Sequence, residues 1–316
     1  MVSKDLRRVS DDVSFLVNLS IASTKLKKLV AIEKDGKQYE LATSLHLVIT
    51  APIGTGKSTV LSEVSDIMNM KIITDFTVPG IIGTIDKQTM QPIYGAAWEC
   101  RNSVMLLDEF NFKSQELGGL GLNVFLQLLE KGQRWSKRIA IFSAEQKTED
   151  GDLYFHSSSG KIDIKTRFAA IITSMRGVEF YNSQRFRAFM SRCVPYYMGL
   201  SKEDQVDIVS GTPIFKYKEI NPPSEVVLSY RQYKMIVRMV SKMLDELHSS
   251  ELQGELLGRC VGDACRVYAI TGNMKDAKRV VRYKMIGQSL IGIKTRHYPY
   301  VKESIGTTDG TTRRTL

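Results

Sequence analysis

Nine consecutive residues, Ala51-Pro52-Ile53-Gly54-Thr55-Gly56-Lys57-Ser58-Thr59, could build a cradle for phosphate. Triphosphate oxygens need several backbone N–H groups pointing inward, and only small residues let the chain wrap that closely. Lys57 supplies a point charge for the β- and γ-phosphates, and the Ser58 hydroxyl suits Mg²⁺. A helix opening at this point would add its positive N-terminal end. The pattern has Ala51 at a first position that is often glycine. About fifty residues further on, Val104-Met105-Leu106-Leu107 runs into Asp108-Glu109. A carboxylate at the end of a buried strand can hold the water shell of Mg²⁺, and Asp108 fits that place. A second carboxylate can orient and polarise an attacking water, and Glu109 fits it. Phosphoryl transfer from ATP depends mostly on such positioning and charge neutralisation.

These residues need a scaffold, and the apolar pattern supplies one. Residues 45–50 (LHLVIT) form a short apolar run ending in the glycine loop and read as a buried strand. Lys57–Met68 follows with Val60, Leu61, Val64, Ile67 and Met68 on one helical face. Further strands are expected at 71–74, 104–107, 168–173 and 194–198, and a helix over Leu122, Phe125, Leu126 and Leu129. Strands alternating with helices predict a mainly parallel sheet flanked by helices. Before this core, residues 1–44 predict a lead-in helix and a hairpin turning at Asp35-Gly36. Asn221-Pro222-Pro223 reads as a linker. Beyond it the pattern is helical over 226–247, 252–270 and 275–291, and residues 301–316 read as a basic, disordered tail.

Taken together, GxGKST followed by LLDEF resembles the AAA+ superfamily of P-loop ATPases. The resemblance spans about residues 45–291 and is most specific at the Walker A loop and at Asp108-Glu109, the Walker B pair. It implies an α/β fold: a AAA+ core over 45–220, then a small all-α lid over 221–300. It implies ATP and Mg²⁺ as cofactors, and an oligomeric ring, a hexamer, with sites shared between subunits. Thr173-Ser174 falls where the family places its polar sensor 1, commonly Asn, which maps that role onto Ser174. Ser191-Arg192-Cys193 resembles the box carrying an arginine finger, which assigns the finger to Arg192, with Arg185 and Arg187 as neighbours in competition. The stretch 257–269 resembles the lid helix with the sensor-2 arginine, mapped onto Arg259 or, one turn on, Arg266.

Two inserts narrow the resemblance. Residues 78–102 look like the helix-2 insert of minichromosome-maintenance (MCM) helicases and MoxR-type ATPases, and 139–167 falls where that clade carries its pre-sensor-1 hairpin. Lys87, Tyr94, Trp98, Lys147, Tyr154, Phe155, His156 and Lys161 are the basic and aromatic residues there that could grip a nucleic-acid backbone. Glu145, Glu149, Asp150 and Asp152 dilute the basic character of the second insert. The readings that follow are an MCM-like helicase or replication ATPase of a virus or plasmid, a MoxR-like ATPase that remodels protein, and an ATP-switched loader or initiator assembling on DNA. A protein recruiter belongs with the first.

Composition sets outer bounds. The chain has 316 residues, 43% apolar and 25% charged, with a net charge of +10. Residues 271–316 hold ten Lys/Arg against three Asp/Glu, an excess that suits a polyanion or a solvated basic face. The four cysteines form no CxxC pair and only four His are present, which argues against zinc. Near the N-terminus, Asp11 and Asp12 abut the short apolar run over 13–22, and Asn18 and Ser20 dilute it, unlike a signal peptide. No run approaches the roughly 20 apolar residues of a membrane span. The expected location is cytoplasmic, away from membranes.

Overall fold

The computed structural model describes residues 4–51, 54–74, 77–86, 88–89, 92–109, 122–130, 134–138, 146–147, 153–156, 161–174, 184–246 and 250–291. The chain opens with α1 (Lys4–Ser23), then a hairpin of β1 (Lys28–Ile32) and β2 (Gln38–Leu41). Asp35 Oδ1 accepts from Lys37 N at 3.1 Å and Gly36 takes φ 79°, so Asp35-Gly36 makes the expected turn. Next come β3 (His46–Thr50), α2 (Lys57–Met68), β4 (Ile72–Ile73), α3 (Val78–Ile82), β5 (Gly83–Ile85), β6 (Pro92–Tyr94), α4 (Ala96–Glu99) and β7 (Val104–Leu107). Then follow α5 (Leu122–Leu128), β8 (Arg134–Arg138), β9 (Gln146–Lys147), β10 (Leu153–His156), β11 (Lys161–Lys165), β12 (Ala169–Ser174), α6 (Gln184–Arg192), β13 (Cys193–Tyr197) and α7 (Lys202–Val209). The chain continues through β14 (Glu225–Leu228), α8 (Tyr230–Leu244), α9 (Ser250–Thr271) and α10 (Met274–Ile291).

Five strands form one all-parallel sheet in the order β13-β3-β12-β7-β4. These are the five expected from the apolar runs. Every residue of β3, β7 and β12 is buried, as strands covered on both faces must be. The pleat divides them between two cores. Leu47, Ile49, Leu106, Ala169 and Ile171 pack with α1 and with Val60, Leu61 and Val64 of α2. Val48, Met105, Leu107, Ala170 and Ile172 pack with Ile81, Trp98, Phe125 and Phe189 on the other side. The fold is thus α/β.

Elements from the first and last parts of the described chain come together. β14 pairs in parallel with β1, giving a small sheet β14-β1-β2. α1 shares its core with α8, α9 and α10, and Asp12 accepts from Arg279 and Tyr283 of α10. Residues 225–228 correct the expectation of a purely helical C-terminal part. The helix starts later, at Tyr230, because Ser229 and Gln232 close a capping box around its first turn. The β-branched pair Val226-Val227 before it extends into a strand. α10 also lies against β13: a Cβ on Gly287 would stand 2.0 Å from Pro195 Cγ, so only glycine lets the helix so close.

Both inserts carry antiparallel strands. β5 and β6 pair as a hairpin between α3 and α4, and β8, β11, β10 and β9 form a four-stranded sheet in that order. Trp98 is buried, stacked on Tyr94 at 6.1 Å and capped by the Arg101 guanidinium at 4.8 Å. It is therefore a core residue, not one offered to a nucleic acid. The side chains of Lys87, Lys147, Tyr154, Phe155, His156 and Lys161 lie outside the described residues, as do Glu145, Glu149, Asp150, Asp152 and the tail 301–316.

Candidate nucleotide site

β3 delivers the chain to the glycine loop at the C-terminal edge of the sheet, and α2 departs from it at Lys57. Gly54 and Gly56 both hold φ 79°, a left-handed backbone that costs other L-residues about 1–2 kcal/mol. Gly56 has a second reason to be glycine, since a Cβ there would meet Ile214 Cδ1 at 2.5 Å. The segment after α7 is therefore seated directly on the loop. Glu63 of α2 fastens it, accepting from Ile214 N at 3.2 Å and Phe215 N at 2.7 Å. Burial raises the pKa of Glu63, and those two amides partly offset it. Pro52 and Ile53 lie outside the described residues.

No side chain caps the start of α2, and its first turn holds no acid. Its N-terminal end is thus open to an external anion. Thr55 is buried, Thr59 is half-buried and Ser58 is exposed. The buried Lys57 folds its ammonium into the loop, donating to Ala51 O at 2.9 Å. Burial lowers its pKa, and the charges of Asp108 and Glu109 oppose that fall. A buried cation inside a glycine-rich turn, with two carboxylates across from it, is a donor set that fits a triphosphate and its Mg²⁺.

Asp108 and Glu109 follow β7 at the same edge. Asp108 Oδ1 accepts from Glu109 N at 3.0 Å and from the Thr173 hydroxyl of β12. Thr173 Oγ1 in turn accepts from Glu109 N at 3.0 Å. Glu109 itself takes φ 50°, a rare backbone for a residue with a side chain, and is exposed. Strain of this kind persists where the surroundings over-determine it, and here it turns Glu109 out of the sheet beside the loop.

The resemblance maps the polar position of β12 onto Ser174, whereas the hydroxyl that reaches Asp108 belongs to Thr173. Alternation along the strand explains this. Thr173 follows Ala169 and Ile171 on the α2 face, which also carries Leu106 and then Asp108. Ser174 is in phase with Ile172 on the opposite face. Ser174 is buried and its carbonyl accepts from Ala51 N at 3.4 Å, so it steadies the entry to the loop through its backbone.

Arg192 and Arg259 lie elsewhere, and together. Arg192 ends α6 just before β13, which runs parallel to β3. It therefore sits at the N-terminal edge of the sheet, a strand length of about 16 Å from the loop at the other end. Glu130 holds both arginines: it pairs with Arg192, and its carboxylate accepts from Arg259 at 2.9 and 3.3 Å. Burial alone would raise the Glu130 pKa, but Arg259 and Arg192 hold it below its ordinary value. The Arg192 Nε is buried with no partner among the described residues. An open cavity of about 160 Å³ adjoins them, lined also by His46, Asp263 and Arg266. Arg266 pairs with Asp263, as does the buried Lys284, and donates to Ala42 O at 2.8 Å. Arg185 and Arg187 fall in α6, with side chains outside the described residues. Glu130 belongs to no motif, and only the fold reveals it.

All four cysteines are buried free thiols, pushed by burial up to about 12. Among the described residues no helix is long and apolar enough to cross a membrane. No protein-family model matches the chain, and no curated protein does either.

Proposed function

We propose that this chain is an ATPase of the AAA+ type that works in a ring and acts on nucleic acid. The observation that carries the reading is the convergence of Lys57, Asp108 and Glu109 at one edge of a parallel sheet, around a loop whose glycines hold left-handed backbone. In this reading the loop amides and Lys57 bind the phosphates of ATP. Ser58 and Asp108 would hold Mg²⁺, which would supply charge neutralisation between the phosphates. Glu109 orients the attacking water and takes its proton. Thr173 fixes the angle between the two carboxylates, so Glu109 need not search for its position. Each subunit holds Arg192 and Arg259 at the sheet edge away from its own loop. Those arginines are therefore assigned to a neighbour's nucleotide, with Glu130 as the group that holds them until a phosphate replaces it. An arginine supplied in this way raises phosphoryl-transfer rates by about 10³–10⁵-fold.

The two strand-bearing inserts support the MCM-like and MoxR-like side of the family, and the basic surface described below supports nucleic acid over protein as substrate. The test is ATP hydrolysis by the full chain, sized in the presence of ATP, with and without single-stranded and duplex DNA. Lys57→Ala should lose ATP binding, and Glu109→Gln should bind ATP without turning it over. Normal hydrolysis by Glu109→Gln would refute the assignment.

A further inference from the structure

Tyr230–Leu244 (α8) carries four charged side chains, Arg231, Lys234, Arg238 and Lys242, and all four are cations. They follow each other at helical spacing of three or four residues, so they line one side of the helix. All are exposed. None has a carboxylate partner among the described residues; Lys234 lies over the Tyr230 ring at 5.3 Å. The row is about 16 Å long at 1.5 Å per residue. Asp245 and Glu246 follow only after the last turn, and Glu33 is near Tyr233 on the adjoining flank. By contrast, part of the basic excess seen after residue 271 is spent internally: Arg279 pairs with Asp12 and Lys284 with Asp263.

We infer that this row is a docking surface for the sugar-phosphate backbone of a nucleic-acid duplex. A helix whose exposed charges are all positive is not stabilised by that pattern, because like charges four residues apart repel. A polyanion relieves the repulsion. An acidic membrane fits less well, since the apolar face of α8 is already used: Ile236, Val240, Met243 and Leu244 are buried in the core. Of the apolar residues near the row, Met235 is 45% exposed and Val227, just before the helix, 57%, two separate side chains rather than an apolar face. A single strand fits less well too. Among the described residues Tyr230 and Tyr233 are half-buried and Tyr39, near Tyr233, is 50% exposed, one ring where stacking of successive bases needs several. Fixed cations on a rigid helix match the fixed phosphates of a duplex, and they read no sequence. The surface lies apart from the nucleotide site and supplies the nucleic-acid half of the proposed function with a place to bind.

The test uses the full chain without nucleotide and a labelled duplex of about 30 base pairs, followed by anisotropy over a range of salt. The native protein should bind, and Lys57→Ala should bind equally well, so a failure of the ATPase reading leaves this result standing. Changing Arg231, Lys234, Arg238 and Lys242 together to Gln should weaken binding at least about tenfold and lower the salt slope by about 3 to 4. Changing four scattered exposed lysines, Lys71, Lys202, Lys216 and Lys218, to Gln should leave binding within about threefold. Equal melting temperatures would establish that both variants fold. The inference fails if the native chain binds no duplex or if the α8 variant binds as the native does. It fails equally if the scattered variant loses as much, if α8 serves a single strand better than a duplex, or if the native chain binds only acidic phospholipid vesicles.

Discussion

Thr173 and Ser174 are neighbours in sequence and face opposite sides of one strand. That parity decides which hydroxyl meets Asp108, and it depends on register against β7, which sequence alone does not fix. Thr173→Val keeps the shape and removes the hydroxyl. Asp108 then loses a charge-assisted hydrogen bond worth about 1.5–3 kcal/mol, and Glu109 loses part of its anchor. The expected outcome is ATP turnover reduced at least about tenfold with nucleotide affinity within about threefold, separated by kcat against Kd. Ser174→Ala should change turnover less, because its contact to Ala51 runs through the backbone. The loop and the acidic pair were legible in the sequence because their spacing encodes their chemistry. Thr173 and Glu130 were not, because their partners are distant in sequence and only packing brings them near.

His46 shows how an element is locked at its first residue. Its ring opens β3 beneath the sheet, and Nδ1 accepts from Ala170 N of β12 at 3.1 Å. Burial lowers its pKa from 6.5 to about 3, with Arg266 and Lys284 helping, and Asp263 and the Leu129 backbone opposing. The unfolded imidazole takes a proton as pH falls below 6.5, and the buried one does not until about 3. Acid therefore favours the unfolded chain through this window, by at most about 1.4 kcal/mol per pH unit. Denaturant titrations at a series of pH values should show a steeper acid loss for the native chain than for His46→Asn, whose amide oxygen can still accept from Ala170 N. Parallel curves would refute it. At this scale the five core strands were readable from apolar runs bounded by turns. β14 was not, because Val226 and Val227 fit the start of a helix as well as a strand until the Ser229–Gln232 box is recognised. The basic row on α8 likewise hid behind the larger charge surplus at the C-terminus.

At the scale of the molecule, the sequence separated a lead-in, a core and a lid, whereas α1, α2 and α8–α10 share one hydrophobic core. Periodicity reports which face of an element is apolar, not which distant element covers it, and the pairing of β1 with β14 spans nearly 200 residues. The separation of Lys57 from Arg192 and Arg259 has a consequence for activity. A Lys57→Ala chain keeps its arginines, and an Arg192→Ala, Arg259→Ala chain keeps its loop. Each is expected to be inactive alone, and mixtures should exceed the summed activities of the two. Additive activity across all ratios would place the complete site within one chain.

Opposite placement of loop and arginines on the same strands also limits the symmetry of any assembly that joins them. One subunit's arginines can meet another's loop in an antiparallel two-fold pair, or a subunit can offer its arginines to one neighbour and its loop to another, a head-to-tail contact. Such a contact either closes after a fixed number of rotations or grows as an open spiral. In an open spiral one terminal loop stays unmatched, and closure alone makes every site equivalent.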